Sequence, residues 1–346
     1  MPHRTGTNMR MLAFRRILWP LLVALIVVSA PLVAVPWIAA AQDFSVGLLV
    51  GVQGLGDQSY NDMTYAGLVR ARQTHGMTLL LEHTGLEKGA IEAAMQRLLD
   101  GGVDIIVANG FYFSSAVNAF ARRFPDRHFI IQDAVIDDLP NVASVTYAVE
   151  EGSFLVGALA ALMTRTGQCA FIGGVDVPIM QPFRRGYEQG VHHIDPRMSV
   201  WADFISRGTD FSGFNKPAEA FDLAMKLFDS GVDIIYAAAG VSGNGVMRAA
   251  RKSGRYAIGV DSDQDHLAEG QVLTSMMKRL DVTTFTEVDK IVRGAFKAGV
   301  KRYGLKAGGI GLTEMKYTRH LISDEIHARL ETIKTKIIAG KILIAP

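Results

Sequence analysis

The sequence predicts an α/β fold with two lobes, each built on a doubly wound parallel sheet. Short apolar runs alternate with amphipathic segments, and this alternation begins again about halfway along the 346 residues. Continuous apolar runs between amphipathic helices are typical of parallel strands, because helices cover both faces of such a sheet. In addition, the segment 98–106 has a close counterpart at 227–235. We therefore expect two lobes of the same topology.

The first group of elements predicts a βαβαβαβ unit. Apolar runs bounded by turn residues predict strands, and apolar residues at helical spacing predict helices. The predicted strands are 44–52, 77–81, 104–108 and 128–131, and the predicted helices are 61–75, 88–99 and 114–124. A helical segment at 150–163 then leads into the second group.

The second group repeats the pattern. Its predicted strands are 169–172, 198–204, 234–238 and 257–260, and its predicted helices are 183–193, 218–228 and 245–252. Two more helical segments, 282–298 and 323–338, are expected to cross back between the lobes. We assign 42–150 with about 279–308 to lobe 1, and 151–278 with about 309–346 to lobe 2. Helix–glycine–strand turns are common in α/β proteins, so coincidence is the alternative to duplication.

The N-terminus predicts an export signal at 1–41. Arg15 and Arg16 precede an uncharged, largely apolar stretch that ends in the alanine triplet 39–41, which is typical of a secretory signal. The alternative is an uncleaved membrane anchor, since the stretch is long enough to span a bilayer. The single cysteine, Cys169, lies far from this site, so we expect a periplasmic protein that is not a lipoprotein.

Composition and motifs exclude several functions. Once the arginines of the N-terminus are set aside, the chain carries slightly more acidic than basic residues, so nucleic acid is not an expected partner. One cysteine excludes a disulfide scaffold, and the adjacent His192 and His193 lack the spacing of a metal site. The glycine-rich segments 51–56 and 240–245 match neither a dinucleotide nor a P-loop motif. No cofactor, metal or catalytic constellation is predicted.

The candidate ligand-binding positions follow from the predicted topology, because open parallel sheets bind ligands at the carboxyl ends of their strands. These positions are rich in Asp, Asn and aromatic residues, which suits a neutral, flat ligand that carries hydroxyl groups. They are 54–61, 109–111, Asp133, 176–183, 240–245, Asp261 and Lys278.

At these positions the chain resembles the basic membrane protein (Bmp) family, substrate-binding proteins of ABC importers, many of which bind purine nucleosides. The matching motifs are G-D-Q-S-Y-N at 56–61, I-Q-D at 131–133, F-x-x-G-Y-x-x-G at 183–190, A-A-G-x-S-G-x-G at 238–245, and I-G-V-D-S-D-Q at 258–264 followed by T-S-M-x-K at 274–278. The resemblance covers about 44–298. It implies a type I periplasmic binding protein whose lobes are joined by a hinge, with the ligand in the interlobe cleft.

The resemblance also implies how a nucleoside base would be held. The base would lie between two aromatic rings, Tyr60 and Phe183, while Asp57, Asn61 and Asp133 would meet its edge. Stacking on an aromatic ring contributes about 1–3 kcal/mol per base. Structural alternatives stay open: Asp57 as a helix N-cap, Tyr60 as an apolar contact at a helix start, and Phe183 as a core residue.

By the same resemblance, Asp261 and Lys278 would bind the ribose hydroxyls, and Gly243 would line the same side. A carboxylate can accept protons from two neighbouring hydroxyls, and such charge-assisted bonds are stronger than neutral ones. The alternatives are that Asp133 and Asp261 only cap turns after their strands and that Lys278 is a solvated strand end.

The sequence thus predicts a protein that closes around a purine nucleoside, or a related heterocycle, and delivers it to the permease of an ABC importer. Three rivals remain: a binding protein for another ligand such as a sugar, a sensor anchored to the membrane by an uncleaved N-terminus, and a nucleoside hydrolase. Tyr60 stands where the family usually has Phe, and Lys216 stands where relatives often have Asp. These departures leave the ligand's identity open.

Overall fold

The computed structural model describes residues 44–85 and 87–345, and the predicted export signal at 1–41 lies outside the described residues. In chain order, the elements up to the middle of the chain are β1 Ser45–Val50, α1 Tyr60–His75, β2 Thr78–His83, α2 Ala90–Asp100, β3 Ile105–Asn109, α3 Ser114–Arg123, β4 His128–Gln132, β5 Val142–Tyr147 and α4 Val149–Met163.

The remaining elements complete a second group and then return to the first. They are β6 Gln168–Asp176, α5 Gln181–Ile194, β7 Ser199–Arg207, α6 Pro217–Asp229, β8 Ile234–Ala238, α7 Gly243–Ser253, β9 Tyr256–Asp261, β10 Val272–Lys278, α8 Leu280–Val292, β11 Gly299–Tyr303, β12 Ile310–Leu312 and α9 Asp324–Ile338. Short 3-10 helices lie in several of the connections.

The strands form two six-stranded sheets. The first has the order β11-β5-β4-β3-β1-β2, and all of its strand pairs are parallel. The second has the order β12-β10-β9-β8-β6-β7, in which only the pair of β12 with β10 is antiparallel. These sheets, with the helices packed on them, confirm the predicted α/β fold of two parallel-sheet lobes.

The central strands are apolar throughout because helices cover both faces of each sheet. In β3, Ile105 and Val107 belong to one hydrophobic cluster, and Ile106 and Ala108 belong to another on the opposite face. The central strand β8 of the second sheet is divided between two clusters in the same way. This is why these strands read as continuous apolar runs rather than as alternating patterns.

Four strands were not among the predicted elements. β5 and β10 are buried, whereas β11 and β12 are short edge strands. The predicted helix 282–298 was too long: α8 ends at Val292, because Gly294 takes a left-handed conformation with φ of 68°. The residues that follow it form β11 instead, at the edge of the first sheet.

The chain passes between the two sheets three times, between β5 and β6, between β10 and β11, and between β11 and β12. Backbone hydrogen bonds join these connections: Ala148 N–H donates to Tyr303 O at 2.9 Å, and Arg279 N–H donates to Gly309 O at 2.9 Å. The predicted boundaries near 150, 278 and 308 fall in these connections, and as lobe boundaries they stay a prediction.

Two glycines set the packing of α5, the helix that carries Phe183. A Cβ atom on Gly157 of α4 would lie 2.2 Å from Tyr187 O, and one on Gly190 of α5 would lie 2.0 Å from Phe154 O. Only glycine permits such a close approach of the two helix backbones. The F-x-x-G-Y-x-x-G motif is therefore a helix-packing motif as well, and it fixes where the start of α5 lies.

Candidate functional site

A cavity of about 340 Å³ lies where strand ends of both sheets meet, and the candidate residues converge on it. Seven of the eight residues predicted from the sequence line this cavity: Asp57, Tyr60, Asn61, Asp133, Phe183, Asp261 and Lys278. They come from both lobes and are separated by up to 221 positions in the sequence. The volume falls within the range typical of small-molecule sites.

The eighth candidate, Gly243, does not line the cavity, and this prediction is corrected. Gly243 is the first residue of α7, and a Cβ atom on it would point toward Ala237 of β8, at 3.7 Å. The cavity is lined instead by Gly240, whose φ of 56° turns the chain after β8. Both glycines belong to the same motif, and the sequence pattern alone did not show which of them faces the ligand space.

Asp57 lies two residues before Ser59, the N-cap residue of α1, and its carboxylate both caps the helix start and lines the cavity. Its carboxylate accepts hydrogen bonds from the backbone N–H groups of Ser59 at 3.0 Å, Asn61 at 2.8 Å and Asp62 at 3.1 Å. These bonds satisfy donors that have no partner within the helix. Burial raises the pKa of Asp57, and the three backbone bonds oppose this effect.

Asn61 is held in a buried side-chain network. Its amide donates to Gly54 O at 2.8 Å, and its carbonyl oxygen accepts from Asn109 Nδ2 at 2.7 Å. Thr64 Oγ1 donates in turn to Asn109 Oδ1 at 2.7 Å. This network joins the loop after β1 to the end of β3, so Asn61 shapes the cavity wall as much as it presents an amide to the cavity.

Asp133, Tyr60 and Lys278 form a compact polar cluster. Tyr60 Oη donates to Asp133 Oδ2 at 2.7 Å, and Lys278 Nζ bonds to the same oxygen. Lys278 Nζ also lies 4.7 Å from the ring centres of both Tyr60 and Tyr147, a distance at which a cation is attracted to the ring face. Lys278 is only 3% exposed, so it is not a solvated strand end.

Asp261 occupies the corresponding place in the second lobe but has different partners. Its Oδ2 accepts a hydrogen bond from Ser59 Oγ at 2.9 Å, which is a contact between the lobes. Burial raises the pKa of Asp261 to about 6, although the charge of Lys278 and the Ser59 bond oppose the shift and the charges of Asp133 and Asp57 add to it. Because the protein does little to stabilise its charged form, the Asp261 carboxylate is available to accept hydrogen bonds from a ligand.

The backbone at both acids is unusual. Asp133 directly follows β4 with φ of 62°, and Asp261 ends β9 with φ of 66°. Non-glycine residues seldom adopt left-handed conformations, and they cluster at functional sites when they do. The two strand ends are thus shaped alike in the two lobes, and both carboxylates face the same cavity.

The aromatic lining includes more rings than the two predicted. Phe183 lines the cavity while it packs into the core, and Phe111, Tyr112 and Phe214 line it as well. Phe211 of the second lobe meets Phe111 edge to face, with ring centres 5.5 Å apart. Rings from both lobes therefore enclose the cavity.

Two charged residues of the lining were missed from the sequence. Glu150, at the start of α4, pairs with Arg302 of β11, whose Nη2 lies 2.5 Å from Glu150 Oε1. Glu150 lay inside a predicted helix, and Arg302 lies on an edge strand that was not predicted. The mostly apolar segment 142–145 is a sequence signal for β5, which pairs with β11. The sequence has no comparable signal for β11 itself, which carries Arg302.

The loop that carries Gln58 touches the second lobe at several points. Gln58 O accepts from Ser262 Oγ at 2.5 Å and from Gln264 Nε2 at 3.3 Å, and Gln58 Oε1 lies 3.1 Å from His266 Nε2. With the bond from Ser59 to Asp261, these contacts bring the lobes together beside the cavity. The arrangement encloses a ligand-sized space between them.

The remaining chemistry of the described residues is limited. Across 44–85 and 87–345, there is no group of three or more His, Cys, Asp or Glu side chains placed to hold a metal ion. Over the same residues, none of the helices combines the length and the apolar character that spanning a membrane requires. What the site does offer is rings, carboxylates and one buried ammonium.

Comparison with known proteins identifies the family. The sequence profile of the Bmp family, described as PnrA-like ABC transporter substrate-binding proteins, matches residues 44–345. A CD4+ T-cell-stimulating antigen of Listeria monocytogenes is 30% identical over 328 residues, which cover 88% of this chain and 89% of that protein. The ABC transporter nucleoside-binding protein BmpA of Lactococcus lactis is 27% identical over 327 residues, covering 87% of this chain and 89% of that protein.

A solved structure agrees with this assignment. An ABC transporter solute-binding protein from Aeropyrum pernix superposes with a TM-score of 0.78 at 26% identity, covering 87% of this chain and 93% of that one. The profile match, the similar sequences and the shared two-lobe architecture all extend over most of the chain. The chain therefore belongs to the Bmp family and is a substrate-binding protein of the ABC transporter type.

Proposed function

We propose that this protein binds a purine nucleoside, or a closely related heterocycle, between its lobes and delivers it to the permease of an ABC importer. The observation that carries the proposal is the convergence of acids, an amide and aromatic rings from both lobes on one cavity of about 340 Å³. The Lactococcus lactis relative, named a nucleoside-binding protein, supports the choice of ligand class.

The aromatic lining favours a flat ligand. Tyr60 and Phe183 come from different lobes, so a planar base held between them would contact both. Stacking on each ring would contribute about 1–3 kcal/mol and would cost little conformational entropy. Phe111, Tyr112 and Phe214 extend the apolar surface that a base would cover.

The polar lining favours a ligand with hydroxyl groups. Asp261 accepts only one hydrogen bond among the described residues, so its carboxylate retains acceptor positions for ribose hydroxyls. Lys278 uses one donor on Asp133 and has others to offer. Asp57 uses its carboxylate to cap the start of α1, and Asn61 bonds Gly54 and Asn109, so we assign both mainly to holding the loop after β1 and the start of α1 against the base.

The charge of the cavity disfavours phosphorylated ligands. Four carboxylates line it, from Asp57, Asp133, Glu150 and Asp261, against the two cationic groups of Lys278 and Arg302. Each of these cations is already paired with one of the carboxylates. A phosphate group would therefore bring negative charge into a site that holds an excess of it.

Closure of the lobes would couple binding to transport. A ligand shifts the balance between open and closed lobes only by its difference in affinity for the two states. Contacts from Tyr60 and Asp133 in one lobe, and from Phe183 and Asp261 in the other, would supply that difference. The permease would then recognise the closed form outside the cytoplasmic membrane, in the periplasm.

The test is isothermal titration of the purified protein with adenosine, guanosine and inosine, their free bases, their 5′-monophosphates and a panel of sugars. We expect saturable binding of at least one nucleoside, with binding of its monophosphate weaker by about tenfold or more, as burying a further charge beside unpaired carboxylates implies. Heat from sugars alone would refute the proposal, and release of free base from a nucleoside would identify a hydrolase instead.

A further inference from the structure

We propose that the Tyr60 hydroxyl is a specificity determinant: it occupies an acceptor position of Asp133 Oδ2, so that Asp133 can bind the ligand through Oδ1 but cannot hold two adjacent ligand donors with one on each carboxylate oxygen. This inference rests on the proposed function, because it concerns how a nucleoside would meet the same cavity. It goes beyond the stacking role of the Tyr60 ring, since it depends on the hydroxyl alone.

The hydrogen-bond geometry supplies the first step. Tyr60 Oη lies 2.7 Å from Asp133 Oδ2, and Lys278 Nζ is bonded to the same oxygen. A carboxylate oxygen has two lone pairs, so these two donors fill Oδ2. Asp133 Oδ1 has no hydrogen-bond partner among the described residues, and it is the oxygen that remains for a ligand.

The surroundings keep Asp133 from turning to offer both oxygens. Its backbone N–H donates to Val145 O at 2.8 Å, and its φ of 62° fixes the end of β4 in a left-handed conformation. Lys278 is in turn held between the rings of Tyr60 and Tyr147, with its ammonium 4.7 Å from each ring centre. Rotation of the carboxylate would break both existing bonds.

The Tyr60 hydroxyl is a permanent donor in this arrangement. Burial and the neighbouring Asp133 charge raise the pKa of Tyr60 well above its ordinary value, so the hydroxyl keeps its proton. A phenylalanine at this position would leave the ring in place and open one lone pair of Asp133 Oδ2. The choice between Tyr and Phe therefore decides whether Asp133 can bind two neighbouring donors with one on each of its oxygens.

This difference separates ligands that are otherwise alike. Guanosine presents an N–H and an adjacent amino group on one edge of its base, whereas inosine presents the N–H alone. Adenosine carries two neighbouring ribose hydroxyls, whereas 2′-deoxyadenosine has lost one of them. With Tyr60 in place, the second donor of either pair finds no free acceptor on Asp133 Oδ2, whichever end of the nucleoside faces it.

The test compares Tyr60→Phe with the unmodified protein by titration against both ligand pairs. In Tyr60→Phe we expect the affinity ratio of one pair, guanosine to inosine or adenosine to 2′-deoxyadenosine, to rise about fivefold in favour of the two-donor ligand. The matched control is Tyr303→Phe, which removes a hydroxyl bonded to Glu287 Oε1 at the same 2.7 Å but outside the cavity lining. Its ratios should stay unchanged.

The possible outcomes separate this inference from the proposed function. If the unmodified protein binds no nucleoside, the proposed function fails and this inference fails with it. If it binds nucleosides and Tyr60→Phe leaves both ratios unchanged, or shifts them toward the one-donor ligand, only this inference is overturned. A shift in one pair supports it and shows which end of the nucleoside faces Asp133.

Discussion

Each lobe places an aspartate at the end of the corresponding strand, but the hydrogen-bond partners of the two aspartates differ. Asp133 in the first lobe and Asp261 in the second have nearly equal φ angles, 62° and 66°, and both line the cavity. Asp133 is bonded to Lys278 and Tyr60, whereas among the described residues Asp261 accepts a hydrogen bond only from the hydroxyl of Ser59. The shared backbone fixes where a carboxylate lies, and its neighbours decide what it can do.

The comparison separates an acid whose charge is balanced by a cation from an acid whose charge is not. A buried carboxylate without a cationic partner is destabilised in its charged form, which is why the pKa of Asp261 rises to about 6. A ligand that donates hydrogen bonds to Asp261 would stabilise the charged carboxylate, which burial destabilises in the free protein. Asp133 is already compensated, and it joins β4 to the end of β10 where the chain returns to the first lobe.

The largest effect is expected from Lys278→Met, which removes the compensation at Asp133. This change leaves the partly buried Asp133 carboxylate without its cationic partner, so the free energy of unfolding should fall by up to about 3–5 kcal/mol at pH 8. Urea denaturation measures it. Lys334→Met serves as a control, because Lys334 pairs with Glu331 on the surface, and its effect should be within about 0.5 kcal/mol. A loss at Lys278 no larger than at Lys334 would contradict the comparison.

Asp261→Asn should have opposite effects on stability and on binding. At pH 8 the charged Asp261 costs the folded protein on the order of 3 kcal/mol, given a pKa of about 6 instead of 3.8, so the neutral amide should raise the free energy of unfolding by up to about that amount. Riboside affinity should fall about tenfold or more, because a charge-assisted acceptor is lost.

The sign of this effect can be checked by pH. A carboxyl whose folded pKa is raised stabilises the protein fully below its unfolded pKa, and this stability is lost as the pH rises from about 3.8 through about 6. The gain from Asp261→Asn should therefore vanish near pH 4. Asp265→Asn is the binding control, since burial also raises the pKa of Asp265 to about 6 but Asp265 does not line the cavity. A lower stability of Asp261→Asn at pH 8 would contradict the assignment.

The smallest effect concerns Ser59, the one side chain in the described part of the chain that donates a hydrogen bond to Asp261. Riboside affinity of the unmodified protein should decline as the pH falls through about 6, because protonated Asp261 loses its charge-assisted bonds. Ser59→Ala should move that midpoint upward by about one pH unit or less, since a favourable hydrogen bond to the carboxylate is gone. Titration calorimetry between pH 5 and 8 measures both, and Asp261→Asn should show no such decline. An unmoved midpoint would assign the titration to another group.

The fold was largely predictable because its signals are local. Apolar runs such as 104–108 and 234–238 indicate strands that are covered on both faces, and helices with apolar stripes follow each strand in the sequence. β11 was not predicted because it is an edge strand that buries too few side chains to require an apolar run. Its lysine and arginine are also typical of a solvent-exposed segment. Arg302 was missed for the same reason.

The candidate site was predictable in its membership and less so in its roles. Strand ends and family motifs placed Tyr60, Asp133, Phe183 and Asp261 correctly around one cavity. They did not show that Asp57 caps α1 or that the Tyr60 hydroxyl bonds Asp133. Gly243 was predicted to line the cavity, where Gly240 lies instead, for a similar reason. A motif identifies the residues of a turn but not the direction in which each one faces.

By itself the sequence determined most of the strands and helices, their arrangement as two parallel-sheet lobes, and the acids at the strand ends, since each of these depends on neighbours in the chain. Only the tertiary structure decided which groups share a hydrogen bond: Lys278, at the end of β10 in the second sheet, with Asp133 of the first lobe, and Ser59 of the first lobe with Asp261 of the second. The physical reason is that a charge responds to the donors and the desolvation within a few ångströms, and the fold assembles those from distant parts of the chain.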